Sequence, residues 1–160
     1  MKLLIPFLLL TMSGFSQQLS LDEINAMRSL PLTQIDSLLR MKDFTLQQNE
    51  NDTTLTTFYY KSLQKAKDDL LWVRSFSMVL ATHNGMQARL FTYRTYNTDE
   101  YRDLLKWLAE NGYKTAERYN FEEAKHTLYK KVNDPVRVIQ KNQILPNGRE
   151  IVSYEFELGG

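Results

Sequence analysis

The chain of 160 residues has no cysteine, two histidines, six glycines and four prolines, and its 20 Lys and Arg nearly cancel its 19 Asp and Glu. The missing thiols exclude disulfide scaffolds, thiolate metal sites and cysteine nucleophiles. His83 and His126 stand far apart and form no His-x-x-x-His pair, so a helical zinc site is excluded. No Gly-x-Ser-x-Gly, Walker-type or Gly-x-Gly-x-x-Gly pattern occurs, which removes the common esterase, nucleotide and dinucleotide signatures and leaves no cofactor to expect. A net charge of +1 argues against nucleic acid, whose binders carry a basic excess. No apolar run approaches the roughly 20 residues of a spanning helix, so no transmembrane anchor is expected in the mature chain.

What is present begins with an export pattern. Lys2 precedes the apolar stretch Leu3–Leu10, and Thr11, Ser13, Gly14 and Ser16 supply small residues for cleavage. Residues 1–16 are therefore read as a signal peptide cut after Ser16, which sends the mature chain to the periplasm or outside the cell. Losing Lys2 leaves 19 basic and 19 acidic residues. With no disulfides, stability must come from apolar burial.

The remaining chain reads as duplicated. Val73-Arg74 followed by Asn84-Gly85 returns as Val136-Arg137 followed by Asn147-Gly148, 63 residues later. Residues 35–41 resemble 101–107, Lys42-Asp43-Phe44 pairs with Asn111-Gly112-Tyr113, and residues 57–61 match 127–131. Each half reads as one helix followed by four strands. Thr33 is the expected cap of the first helix, with Ile35, Leu38 and Leu39 on its apolar face. Asn97 or Thr98 caps the second, with Asp99 and Glu100 in the first turn, Leu104 and Leu108 inside and Gly112 as the stop. Before both, Ser20-Leu21-Asp22-Glu23 is a capping box that opens a lead-in helix within residues 17–32.

Strands come in hairpins. Asn84-Gly85 and Asn147-Gly148 mark two turns, and a short Asn120-capped turn over Phe121–Ala124 is expected between strands over 113–119 and 126–132. In the last strand Val152, Tyr154, Phe156 and Leu158 point inward while Ile151, Ser153, Glu155 and Glu157 point out. The expected fold is α+β: tandem αββββ repeats over 33–96 and 97–158, with antiparallel sheet and helices on one face. This order of elements resembles the β-lactamase-inhibitor-protein family, exported proteins of tandem helix-plus-four-strand units with a concave sheet; that family's disulfides are absent here. The signal ending in Ser-Gln and the missing cysteines also look like exported proteins of Bacteroidota. Neither resemblance transfers a functional residue.

For function, the supply of aromatics outweighs any catalytic pattern. Tyr59, Arg89, Phe91 and Tyr93 on strands, with Arg74 and Arg137 at matching places in the repeats, are the expected binding residues, because exposed Tyr and Arg dominate protein interfaces. Arg74 and Arg137 are placed on the open sheet face. The expected activity is a non-catalytic protein-binding module: an inhibitor, immunity or envelope accessory protein. A cell-envelope glycan is the other partner considered. A small glycan hydrolase using two carboxylates from Glu122, Glu123, Glu155 and Glu157 is the alternative, and no metal site is expected. Asp52-Thr53-Thr54 matches a short O-glycosylation pattern and Asn51-Asp52-Thr53 an N-glycosylation pattern.

Overall fold

A computed structural model describes residues 18–52, 54–65, 71–83 and 86–159. Residues 1–16, read above as a signal peptide, Thr53 of the glycosylation patterns and the Asn84-Gly85 turn signal lie outside them. The described residues form an α+β fold of three helices, α1 (Leu21–Met27), α2 (Leu32–Met41) and α3 (Thr98–Glu110), and eight strands. The strands are β1 (Thr45–Asn51), β2 (Leu55–Lys65), β3 (Leu71–His83), β4 (Met86–Thr95), β5 (Lys114–Phe121), β6 (Ala124–Lys131), β7 (Asp134–Ile144) and β8 (Glu150–Gly159). All pair antiparallel in one sheet of order β1-β2-β3-β4-β8-β7-β6-β5. Two four-stranded meanders thus meet at β4 and β8, leaving β1 and β5 as the sheet's edges.

Helix ends follow local chemistry. The Ser20 hydroxyl accepts from the Glu23 amide at 3.1 Å, and the Ser20 amide donates back to Glu23 Oε2 at 2.9 Å, which completes the capping box of α1. Asn97 Oδ1 accepts from the amides of Asp99 and Glu100 at 2.9 and 3.1 Å. Thr33 does not cap α2; the helix starts after Pro31, which adopts extended ψ and has no amide to satisfy. Both long helices stop through a left-handed residue, Asp43 (φ 60°) after α2 and Gly112 (φ 81°) after α3.

Strand alternation divides the sheet into two faces. Tyr60, Phe76, Met78, Phe91, Tyr93, Val136, Val138, Tyr154, Phe156 and Leu158 share the core face, and with Ile24, Met27, Ile35, Leu39, Leu104 and Leu108 of the helices they form one apolar cluster. Each large apolar side chain buried there contributes about 1.5–3 kcal/mol. Ring and hydrogen-bond contacts between helix and strand side chains fall on this face, among them Tyr60 with Asp36, Tyr93 with Glu100, and Tyr101 stacked on Tyr154 at 4.0 Å.

Several expected binding residues belong to this interior. Phe91 and Tyr93 are fully buried. Arg89 donates to the Leu30 carbonyl at 2.6 Å and so ties the α1–α2 loop to β4. Arg74 is corrected most: it lies on the core face, buried, with its Nε donating to Glu100 Oε2 at 2.8 Å. Arg137 lies on the other face, opposite Glu157. The two Val-Arg pairs thus present their arginines to opposite faces of the sheet, because side chains alternate with a period of two along each strand.

Candidate binding face

The outer face is built from the other residue of each alternating pair. Along β8, Glu155 and Glu157 point outward, opposite Arg94 of β4 and Arg137 of β7 respectively. Both carboxylates hold guanidinium groups: Arg94 Nη2 lies 2.8 Å from Glu155 Oε1, and Arg137 Nη1 lies 3.1 Å from Glu157 Oε2. Through Ile139 the same row continues to His126 on β6 and Tyr119 on β5. His126 is only 9% exposed although it stands on the outer face. Tyr119 stacks on it at 4.9 Å and 6°, Phe121 meets it edge-on at 6.1 Å, and its Nδ1 is buried with no hydrogen-bond partner. Around it lies a cavity of about 490 Å³, lined by Tyr119, Phe121, Glu122, Ala124, His126, Arg137, Ile139, Lys141, Glu155 and Glu157.

This arrangement rests on the turn between β5 and β6. Phe121 pairs with Ala124, so Glu122 and Glu123 form a two-residue turn with φ of 47° and 62°. Such turns ordinarily use Asn-Gly or Asp-Gly; Glu-Glu gives no sign of a left-handed backbone. The turn expected over Phe121–Ala124 is thus found, tightened to its two central residues: Asn120 and Phe121 belong to β5 and Ala124 to β6, and this register sets Tyr119 opposite His126.

The first meander presents different chemistry on the outer face. Leu55 faces Ala81, Ala81 faces Ala88, and Val79 faces Leu90. Leu55 and Leu90 are 44% and 42% exposed, and Met86 on the same side of β4 is 72% exposed. Together they make a contiguous apolar patch, a feature that marks interaction surfaces when left uncovered. Between patch and cavity lie Ser75, Ser77 and Thr92.

Of the residues the sequence singled out, the fold places Arg137 and Tyr59 on the outer face, with the Lys61 ammonium 5.4 Å from the Tyr59 ring. Arg74, Arg89, Phe91 and Tyr93 face the core. Tyr119, Phe121, Ile139, Lys141 and Leu90 were missed as site residues; period-two alternation in β4, β5 and β7 carried the only signal for them. Among the described residues no three His, Cys, Asp or Glu side chains are grouped to hold a metal ion. No helix there is long and apolar enough to cross a membrane. Compared with known protein families, with curated proteins and with solved structures, the chain matches none.

Proposed function

We propose that the protein is an exported, non-catalytic protein-binding module that receives its partner on the outer sheet face. The observation that carries this reading is the composition of that face: an exposed apolar patch at Leu55, Met86 and Leu90 beside an aromatic and charged cavity at His126. A flat ligand-free structural surface has no need of either feature. The matching partner is a folded protein surface with an apolar prominence flanked by charges of both signs, because Arg137 and Lys141 stand beside Glu155 and Glu157. Inhibitor, immunity and envelope accessory roles all belong to this physical class.

The face has two halves because, in our reading, the chain arose by duplication. Supporting this, β1 and β2 pair Leu46 with Tyr60 before a bulge, and β5 and β6 pair Thr115 with Tyr129 before a bulge, each residue displaced by 69. Asp43 and Gly112, the left-handed helix stops, show the same displacement. By this register Thr57 corresponds to His126 and Leu55 to Ala124, so the halves carry different residues at these outer-face positions.

The glycan-hydrolase alternative draws on Glu155 and Glu157 lining one cavity. Against it, each carboxylate is engaged by an arginine rather than set opposite its neighbour across a bond to be cut. Crosslinking capture of the mature chain in its own cell envelope, read by mass spectrometry, tests the reading. A specific protein captured by the parent chain and lost in Leu90→Asp and Arg137→Ala is the expected result. Capture unchanged in both variants overturns the outer face as the site. Release of reducing ends from envelope glycan, abolished by Glu155→Gln, would replace binding with hydrolysis.

A further inference from the structure

A second cavity lies away from the outer face, at the core-face end of the sheet. It is an open cleft of about 820 Å³ bordered by α1, the end of α3, the β6–β7 turn and the end of β8. Trp107 and Tyr113 form an aromatic corner there, their rings 5.9 Å apart and tilted by 37°. Their polar edges are already committed. The Trp107 indole N–H donates to Asp22 Oδ2 at 2.7 Å, and the Tyr113 hydroxyl donates to Asp134. Asp134 in turn accepts from Arg28 Nη1 at 2.8 Å. The rings are thus held rigid, with Trp107 still partly open to the cavity.

Charge and rim chemistry narrow the ligand. Asp22 and Asp134 balance Arg28 and Lys131, so the cavity has no net charge with which to select an ion. The carboxamides of Asn25 and Asn133 stand exposed at the rim, each with a donor and an acceptor. The turn itself is strained: Val132 adopts φ 55° and is 89% exposed. A β-branched residue in the left-handed region is a true outlier, and such strain collects at ligand clamps. Solvent exposure of its isopropyl group gives the fold nothing in return.

We propose that this cavity is a second binding site, independent of the outer face, for a neutral saccharide. The apolar C–H face of a sugar ring matches the indole of Trp107, and its hydroxyls match the Asn25 and Asn133 carboxamides and the Asp22 carboxylate. Pockets of this volume hold ligands of one to a few rings.

The test uses the mature chain carrying Trp72→Phe, which leaves Trp107 as the single tryptophan. Its fluorescence is titrated with chitotriose, cellotriose and maltotriose, and with trigalacturonate as the charged control, to about 20 mM, a range that resolves millimolar affinities. The expected result is a saturable change with at least one neutral trisaccharide and weaker binding of the charged one. Asn133→Ala and Asn25→Ala should each weaken binding about fivefold, and Trp107→Phe, followed by ligand-detected NMR, about tenfold. Arg137→Ala, on the outer face, should leave binding unchanged, which separates this site from the proposed protein-binding face. No saturable change with any neutral sugar overturns the proposal. So does affinity retained in Asn25→Ala and Asn133→Ala, both exposed positions whose variants fold, or preference for the charged sugar.

Discussion

Glu100 and Arg74 are buried together beneath the first turn of α3, where neither charge reaches bulk water. Glu100 also accepts from the Thr95 hydroxyl at 2.7 Å and from the Tyr93 hydroxyl, so these side chains share one polar cluster inside an apolar core. Burial and the neighbouring Glu100 carboxylate push the Tyr93 phenol well above its ordinary range, which keeps it a hydrogen-bond donor. Removing one member of such a pair strands the other. Arg74→Met is expected to cost about 3–5 kcal/mol in urea unfolding, and Arg74→Met/Glu100→Leu to recover much of it. A single-variant cost under about 1 kcal/mol would show that the pair does not hold α3 to β3. Arg74 was legible as a residue to notice, but not as an interior one. Its partner lies in a different element, and strand alternation names two faces without saying which one a helix will cover.

At the scale of elements, α1 is short and depends on its cap and on its tie to α2. Burial works to raise the Glu23 carboxyl, but the Lys42 ammonium at 2.8 Å and the Ser20 hydrogen bonds outweigh it and hold Glu23 below its ordinary value of 4.5. A depressed carboxylate contributes stability above its unfolded pKa and loses it as pH falls through the folded value. Thermal unfolding should therefore show a loss between pH 5 and the low folded value, about in the acid range where carboxylates titrate, and Glu23→Gln should flatten it. Ser20→Ala should cost about 1 kcal/mol at neutral pH. The Glu122-Glu123 turn makes the opposite prediction. Both residues sit at positive φ, and Glu122→Asn/Glu123→Gly should stabilise the chain by about 1 kcal/mol, read as a raised unfolding midpoint. The capping box could be read from Ser20 and Glu23 because its donors lie within one turn. The turn over Phe121–Ala124 could be placed, but not its left-handed backbone at Glu122 and Glu123, since pairing between β5 and β6 imposes a conformation that the local residues disfavour.

For the whole molecule, tyrosines report the integrity of the core. Burial first, and the Asp36 carboxylate second, push Tyr60 up to about 12. Burial likewise raises Tyr101 and Tyr113 to about 12, assisted by Tyr129 for the former and Asp134 for the latter. Groups with raised folded values contribute stability fully below the unfolded pKa near 10 and lose it as pH rises through the folded value. Unfolding free energy should hold steady below pH 10 and then drop as pH approaches 12. Ultraviolet titration should find ionisation of these phenols coinciding with that loss, and Tyr113→Phe should lessen the slope. Early ionisation without unfolding would show that the core-face rings are open to water.

The sequence by itself determined the α+β class, the lead-in helix and its cap, the two long helices and the face each residue of β8 presents. Each of these follows from interactions within a few residues: hydrogen bonds across one helical turn, or the two-residue period of a strand. Only the tertiary structure decided that all eight strands join in one sheet, that Arg74 is interior while Arg137 is outside, and that Tyr119, Phe121 and His126 meet in one cavity. Those outcomes depend on register between strands distant in the chain, where a slip of a single residue exchanges core for surface.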